Sequence, residues 1–249
     1  MNVIVEEDYA ALSQRAAGIV ASQVARKPGC VLGLATGVTS IGLYEALVER
    51  YRAQEISFSR VTTFNLDEYL GLGPDDPRSF AYFMRRHFFS RVDLDPARVH
   101  LLNGVAADPE EECARYETAI AEAGGIDLQV LGVGQNGHIG FNEPGTPPGS
   151  LTRVVRLSPE TVRRNSRLAG QPVPDRALSM GIKTIMQARR ILLLASGRDK
   201  AAAVAEALQG EVTPAVPASI LQLHPGVTAV LDRDAAALLR NWRELCEGL

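Results

Sequence analysis

The sequence predicts an α/β fold: a single domain over residues 1–249, built as a three-layer Rossmann-like, mostly parallel sheet with helices on both faces and a small helical lid. Three observations predict it. Short aliphatic and β-branched runs alternate with longer stretches of helical pattern, the order of βαβ units. No internal repeat or low-complexity segment interrupts that order. A length of 249 residues with 46% hydrophobic and 22% charged side chains supplies a sizeable core.

Taken in order, a helix over Glu7–Arg26 leads to the strand "CVLGLA" (Cys30–Ala35) and a helix over Ile41–Arg52. The strand "VTTFNLD" (Val61–Asp67) is followed by helices over Ser79–Phe89 and Pro109–Ala123, then by the strand "LQVLGVG" (Leu128–Gly134). Residues Pro144–Gln171 are richer in Pro, Gly and Arg than their surroundings. Ser158 followed by Pro159 is an N-cap and first-turn pair, so a short helix starts there and carries arginines between glycine-rich joints, as a lid would. The strands "RILLLAS" (Arg190–Ser196) and "VTAVLD" (Val227–Asp232) alternate with helices over Lys200–Gln209 and Asp234–Glu247.

Composition narrows the function. A formal charge of −3 and the lack of a long Lys or Arg run argue against a nucleic-acid surface. No apolar run approaches the roughly 20 residues that cross a bilayer, and the acidic N-terminus does not read as a signal peptide. Cys30, Cys113 and Cys246 are odd in number and lack CxxC spacing, which points to the reducing cytoplasm, and no HExxH or His/Cys cluster suggests a metal.

In an open parallel sheet, ligands bind beyond the carboxyl ends of the strands. Four strand ends here deliver polar groups. "TGVTS" after the first offers backbone N–H groups, the hydroxyls of Thr36, Thr39 and Ser40, and a positive helix end. It reads either as a phosphate loop or as an ordinary capped turn. Asp67 and Glu68 stand where "VTTFNL" runs out, as a desolvated base or as turn residues. The third end passes Gly132 and Gly134 and delivers Asn136, His138, Asn142 and Glu143. His138 is the side chain best suited to move protons near neutral pH. After "RILLLAS", Asp199 is the expected N-cap, and Lys200 in the first turn opposes the helix dipole unless an anion lies beside it. His87, His100 and His224 read as structural.

In this order, these motifs resemble the glucosamine-6-phosphate deaminase family, aldose–ketose isomerases that also release ammonia. The specific pieces are "NLDEY" and "GHIGFNEPG"; "LGLATGVTSIGLYEAL", "SFAYFMRRHFF", "NSR", "ALSMGIKTI", "SGRDKA" and "LQLHP" extend the likeness over nearly the whole chain. The resemblance implies that Asp67 moves a proton from C2 to C1 of the sugar. It implies that His138 opens the pyranose ring with Glu143 orienting and tuning it. Thr36, Gly37, Val38 and Thr39 would cradle the phosphate, helped by Arg167 from the lid and by Lys200. No cofactor is implied, the partner is a small phosphosugar, and a homo-oligomer is compatible with the family.

Two departures from the family stand out. Many relatives carry an aspartate where this chain has Asn136, and an amide cannot hold the charge that raises a histidine's pKa, so the ring-opening relay is expected to rest on His138 and Glu143 alone. Val155 stands where activated members carry a lysine, and the sequence ends at Leu249 where they have a longer tail, so activation by N-acetylglucosamine 6-phosphate is not expected. Two alternatives stay beside the deaminase: a related sugar-phosphate isomerase or lactonase, and a non-catalytic sugar-phosphate sensor.

Overall fold

In the computed structural model, which describes residues 1–241, the chain runs β1 (Asn2–Glu6), α1 (Tyr9–Arg26), β2 (Val31–Leu34), α2 (Val38–Arg52), β3 (Thr62–Asn65), β4 (Asp67–Tyr69), α3 (Phe80–His87), β5 (Val99–His100), α4 (Pro109–Glu122), β6 (Leu128–Gly132), β7 (Arg153–Arg156), α5 (Pro159–Ala169), β8 (Arg176–Ser179), α6 (Ile182–Met186), β9 (Ile191–Ala195), α7 (Ala201–Gln209), β10 (Val227–Asp232) and α8 (Arg233–Ala236). Local chemistry starts the helices. The side chains of Asp8, Ser79, Asp108 and Ser158 accept first-turn N–H groups of α1, α3, α4 and α5, and Pro109 and Pro159 take the first helical position.

Seven strands form a fully parallel sheet in the order β1-β10-β9-β6-β2-β3-β5. β9 is buried along all five residues, which is why its sequence is continuously apolar rather than alternating. From β1 to β5 the connections progress one way across the sheet, and from β5 to β10 they return the other way. With right-handed crossovers, α1, α2 and α3 cover one face, and α4, α6 and α7 the other. The direction reverses between the neighbours β2 and β6, so the loops after these two strands diverge and leave a crevice.

A second, antiparallel sheet, β4-β8-β7, was not expected. The predicted strand Val61–Asp67 is split: β3 ends at Asn65 and Asp67 opens β4. Leu66 is the joint, since its N–H bonds to Leu34 O (3.0 Å) in the large sheet while its carbonyl accepts from Met180 N (2.8 Å) beyond β8. A small core of Tyr69, Leu72, Phe141, Val155, Leu157, Val173 and Ala177 packs with this sheet.

Other expectations need correction. The lid segment is only partly helical, because β7 within it pairs with β8 and leaves α5 as the helical portion. Helix α2 begins at Val38, three residues before the predicted start, with Gly37 at φ 116° as its N-cap. Strands β1 and β5 and helix α6 were not predicted. The helix expected over Asp234–Glu247 is the single turn α8, since residues 237–241 are turn and bend rather than helix; the rest of it and Cys246 lie outside the described residues. Cys30 and Cys113 are buried free thiols. Among the described residues, no helix is long and apolar enough to cross a membrane.

Candidate active site

The crevice at the β2/β6 reversal opens into a cavity of about 460 Å³. Its walls bring together Thr36–Ile41 after β2, Asp67 and Tyr69 from β4, Gly134 and His138 after β6, Lys200 before α7, and Arg164, Asn165 and Leu168 from α5. Elements distant in sequence thus converge on one space.

Asp67 is 7% exposed, and its carboxylate accepts no hydrogen bond from the described residues. Burial, with the neighbouring Glu68 carboxylate adding to it, pushes its pKa up to about 8. Glu68 points elsewhere. It accepts from the backbone N–H groups of Tyr69 (2.8 Å), Phe80 (3.0 Å) and Ala81 (2.8 Å), and so ties the start of α3 to β4. Burial lifts Glu68 to about 7 despite those three donors.

His138 follows a glycine-rich turn and its ring lies against Gly134, where a Cβ would stand 2.2 Å from Cε1; any side chain at 134 would displace the ring. Nδ1 of His138 lies 2.7 Å from Asn136 Oδ1, and Asn136 Nδ2 donates to Glu143 Oε2 at 2.8 Å. Because a carboxylate only accepts, the amide must turn its NH₂ to Glu143, leaving its oxygen to take the Nδ1–H of His138. The imidazole is thereby held as the Nδ1–H tautomer with Nε2 free as a base. Burial lowers the His138 pKa to about 4; Lys200 and Arg164 push the same way and Glu143 opposes them. The expectation that His138 and Glu143 work alone is therefore corrected: they are 3.8 Å apart, and Asn136 joins them.

Glu143 also accepts from Ser158 Oγ (3.2 Å) and Thr161 Oγ1 (2.5 Å), the N-cap and first turn of α5. Buried Asn142 braces the same loop, donating to the carbonyls of Ile139 and Met180 (2.8 Å each) and accepting from Arg153 Nη1 (2.9 Å).

At the opposite wall, Gly37 caps α2 without a side-chain hydrogen bond, so the first-turn N–H groups beside Thr36, Val38 and Thr39 carry the positive helix end into the cavity. Ser40 spends its hydroxyl on Gly37 O (2.8 Å). Lys200 is 7% exposed, and its Nζ donates to Val133 O at 2.9 Å. Burial, then Arg164, lower its pKa to about 8, with Asp199 opposing. Asp199 is not the side-chain cap expected for the following helix; its carboxylate accepts from Gln135 Nε2 (2.7 Å) and lies 3.8 Å from Arg164.

Arg167 is corrected as well. It is exposed and does not line the cavity, whereas Arg164, one turn earlier on α5, does. Sequence reasoning also missed Tyr69, whose OH accepts from Asn165 Nδ2 (2.8 Å) and whose ring packs against Phe80 and Phe141. "NLDEY" and "NSR" contained both residues, but nothing in either motif said that they would meet. The remaining histidines are structural. His100 stacks on Phe64 (4.3 Å), His87 packs against Phe83 (4.6 Å), and His224 is held between Ala188 O and Gly226 N. No group of three or more His, Cys, Asp or Glu among the described residues is arranged to hold a metal ion.

Known proteins are similar to this chain in sequence and in fold. A glucosamine-6-phosphate deaminase of Halothermothrix orenii is 54% identical over 241 residues, covering 96% of this chain and all of that one. A solved monomeric glucosamine-6-phosphate deaminase, described as a missing link of the NagB superfamily, superposes with a TM-score of 0.93 at 47% identity, over 96% of this chain and 100% of that one. A 6-phosphogluconolactonase from Trypanosoma cruzi shares the fold, with a TM-score of 0.78 at 21% identity over 95% and 96% of the two chains. Since the sequence pattern of the glucosamine-6-phosphate isomerases and 6-phosphogluconolactonases also matches residues 6–230, the chain belongs to that family.

Proposed function

We propose that the protein is a glucosamine-6-phosphate deaminase, converting glucosamine 6-phosphate and water to fructose 6-phosphate and ammonia in amino-sugar catabolism. One observation carries this reading: a buried carboxyl group, Asp67, and a neutral histidine, His138, whose carboxyl oxygens and Nε2 take no hydrogen bond from the described residues, share a cavity with a helix N-terminus and a buried lysine.

The phosphate sits at Thr36–Thr39 with Lys200 and Arg164 beside it, which fixes the sugar carbons against Asp67. A closed pyranose has no acidic C–H, so His138 first takes the anomeric hydroxyl proton and returns one to the ring oxygen, freeing the aldehyde. Asp67 then removes the C2 proton, now acidified by the neighbouring carbonyl, and delivers it to C1. The enolamine becomes a ketose imine, which water hydrolyses to release ammonia. Ring opening and the C2-to-C1 transfer are proton transfers served by His138 and Asp67; in the last step water adds to the imine carbon, the C–N bond breaks and the nitrogen leaves protonated as ammonia. Arg167 enters this scheme only with a movement of α5.

The relative described as monomeric favours a monomer over a homo-oligomer for this chain. The two buried free thiols fit a cytoplasmic setting. A coupled assay for ammonia and fructose 6-phosphate from glucosamine 6-phosphate tests the reading. Release of both in equal amounts is expected; hydrolysis of 6-phosphogluconolactone without ammonia release from the amino sugar contradicts it. Galactosamine 6-phosphate run in parallel settles the sugar preference.

A further inference from the structure

The first turn of α5 is fastened to the ring-opening residues. Thr161 Oγ1 donates to Glu143 Oε1 at 2.5 Å, reaching a carboxylate 18 residues back in the sequence. Ser158, the N-cap, accepts from Thr161 N and offers its hydroxyl proton either to the same Glu143 oxygen (3.2 Å) or to Thr161 Oγ1 (3.1 Å). The other oxygen of Glu143 takes Asn136 Nδ2, and Asn136 Oδ1 holds Nδ1 of His138. A continuous line of hydrogen bonds therefore runs from the lid helix to the imidazole.

A threonine in a first helical turn needs no side-chain partner for the helix to start, and Ser158 already caps α5. Thr161 is nonetheless 5% exposed, with its hydroxyl spent on Glu143. Burial pushes the Glu143 carboxyl up, yet its pKa stays below the ordinary value because Thr161, then Asn136, His138 and Ser158, hold the charged form. Thr161 is the largest of these supports. A hydrogen bond to an ionised acceptor is roughly twice as strong as a neutral one. Without it, Oε1 keeps only the longer, shared proton of Ser158, and the carboxylate is free to turn away from Asn136. His138 also feels the cations Arg164 on α5 and Lys200 before α7, and Glu143 is the anion set against them.

We propose that Thr161 is a positioning residue for ring opening: its hydroxyl holds Glu143 to Asn136, and so His138 in its working tautomer, while α5 is seated over the cavity. The lid helix is then a member of the relay. Lifting α5 withdraws both hydroxyls from Glu143, so an uncovered sugar is not opened and its aldehyde is not exposed to water. This rests on the reading of His138 as the ring-opening group.

Thr161→Val keeps the shape and removes the hydroxyl, while Thr161→Ser keeps the hydroxyl. In the full chain without ligand, the carbon-13 NMR resonance of Glu143 Cδ, assigned by its loss in Glu143→Gln, reads the tether directly. Its titration midpoint is expected to rise by about one pH unit in Thr161→Val, the scale of one hydrogen bond to a charged group, and to return in Thr161→Ser. With glucosamine 6-phosphate near neutral pH, kcat is expected to fall about tenfold in Thr161→Val with KM held within about twofold, and Thr161→Ser to recover most of the loss. A midpoint that stays in Thr161→Val overturns the proposal. So does a rise in KM with kcat held, the result of a merely loosened helix carrying Arg164. Should Thr161→Val fail to fold, Ser158→Asp keeps the N-cap and sets a carboxylate against Glu143 Oε1, and an unmoved midpoint there counts against the tether. A midpoint that moves in a protein releasing no ammonia supports the tether and contradicts the deaminase reading, whereas a fixed midpoint in an active enzyme overturns the tether alone.

Discussion

Nδ1 of His138 and Oε2 of Glu143 stand 3.8 Å apart, too far for a direct hydrogen bond, and the Asn136 amide closes the gap with bonds of 2.7 and 2.8 Å. A neutral bridge fixes the imidazole tautomer without adding the negative charge that would draw a proton onto the ring. Asn136→Asp sets a carboxylate directly against Nδ1 and about one hydrogen bond from Glu143; the two cannot both ionise, so they share a proton and the one negative charge moves closer to the ring. We expect turnover to persist, the kcat–pH profile to move upward, and the His138 Cε1–H NMR titration to move to higher pH. An unchanged His138 midpoint contradicts the bridge. Asn136→Ala removes both bonds and is expected to lower kcat by about 10- to 100-fold, the usual scale for a mispositioned proton carrier.

Asp67 carries a pKa raised to about 8, so the folded state holds a proton on it between pH 4 and 8 that the unfolded chain gives up. That contribution is fully present at low pH and is lost as pH rises through this window. Asp67→Asn removes the dependence. The variant is expected to lose C2 proton exchange with solvent deuterium almost completely, yet to gain stability relative to the parent as pH rises. The gap grows by on the order of 2 to 5 kcal/mol between pH 4 and 8. Urea unfolding at the two pH values checks the second half; a gap independent of pH refutes the buried, protonated Asp67.

The large sheet was legible because β2, β6, β9 and β10 are almost wholly buried and so read as mainly apolar runs, unbroken in β2 and β9 and interrupted only by Gln129 in β6 and by Thr228 and Asp232 in β10. The small sheet was not. "RVVR" (β7) and "RALS" (β8) mix charge with only two apolar residues each, and their pairing depends on β4, whose start was hidden inside the longer run "VTTFNLD". The candidate site followed a similar division. Asp67, His138, Lys200 and the Thr36 loop stand at strand ends, where a sequence rule points. Arg164 against Arg167 depends on which side of α5 faces the cavity, and the Asn136 bridge depends on a side-chain rotation that no spacing specifies.

Lys200 titrates near pH 8 because burial, reinforced by Arg164, disfavours its charge. A neutral lysine holds a phosphate weakly, so kcat/KM is expected to fall as pH rises through about 8 in the free enzyme, while kcat falls less because bound phosphate restores the charge. Lys200→Gln is expected to raise KM by roughly 10- to 100-fold, the value of one charged hydrogen bond, and to abolish the alkaline limb. Arg164→Gln removes the nearest like charge, and its alkaline limb is expected to move up. Steady-state kinetics across pH 6 to about 10 read all three effects; a limb that survives in Lys200→Gln excludes this lysine.

Glu68 touches Asp67 only through charge, while its own oxygens hold three backbone N–H groups, that of Tyr69 in β4 and those of Phe80 and Ala81 at the start of α3. Those two roles separate by substitution. Glu68→Ala orphans all three donors in a buried place and is expected to cost about 3 kcal/mol or more, read as a lower urea midpoint. Glu68→Gln keeps one acceptor oxygen and removes the charge, so it costs less. With the neighbouring negative charge gone, Asp67 ionises more easily and the acid limb of kcat/KM is expected to move to lower pH. A purely structural Glu68 leaves that limb where it was, and this outcome rules out charge coupling between the two carboxylates.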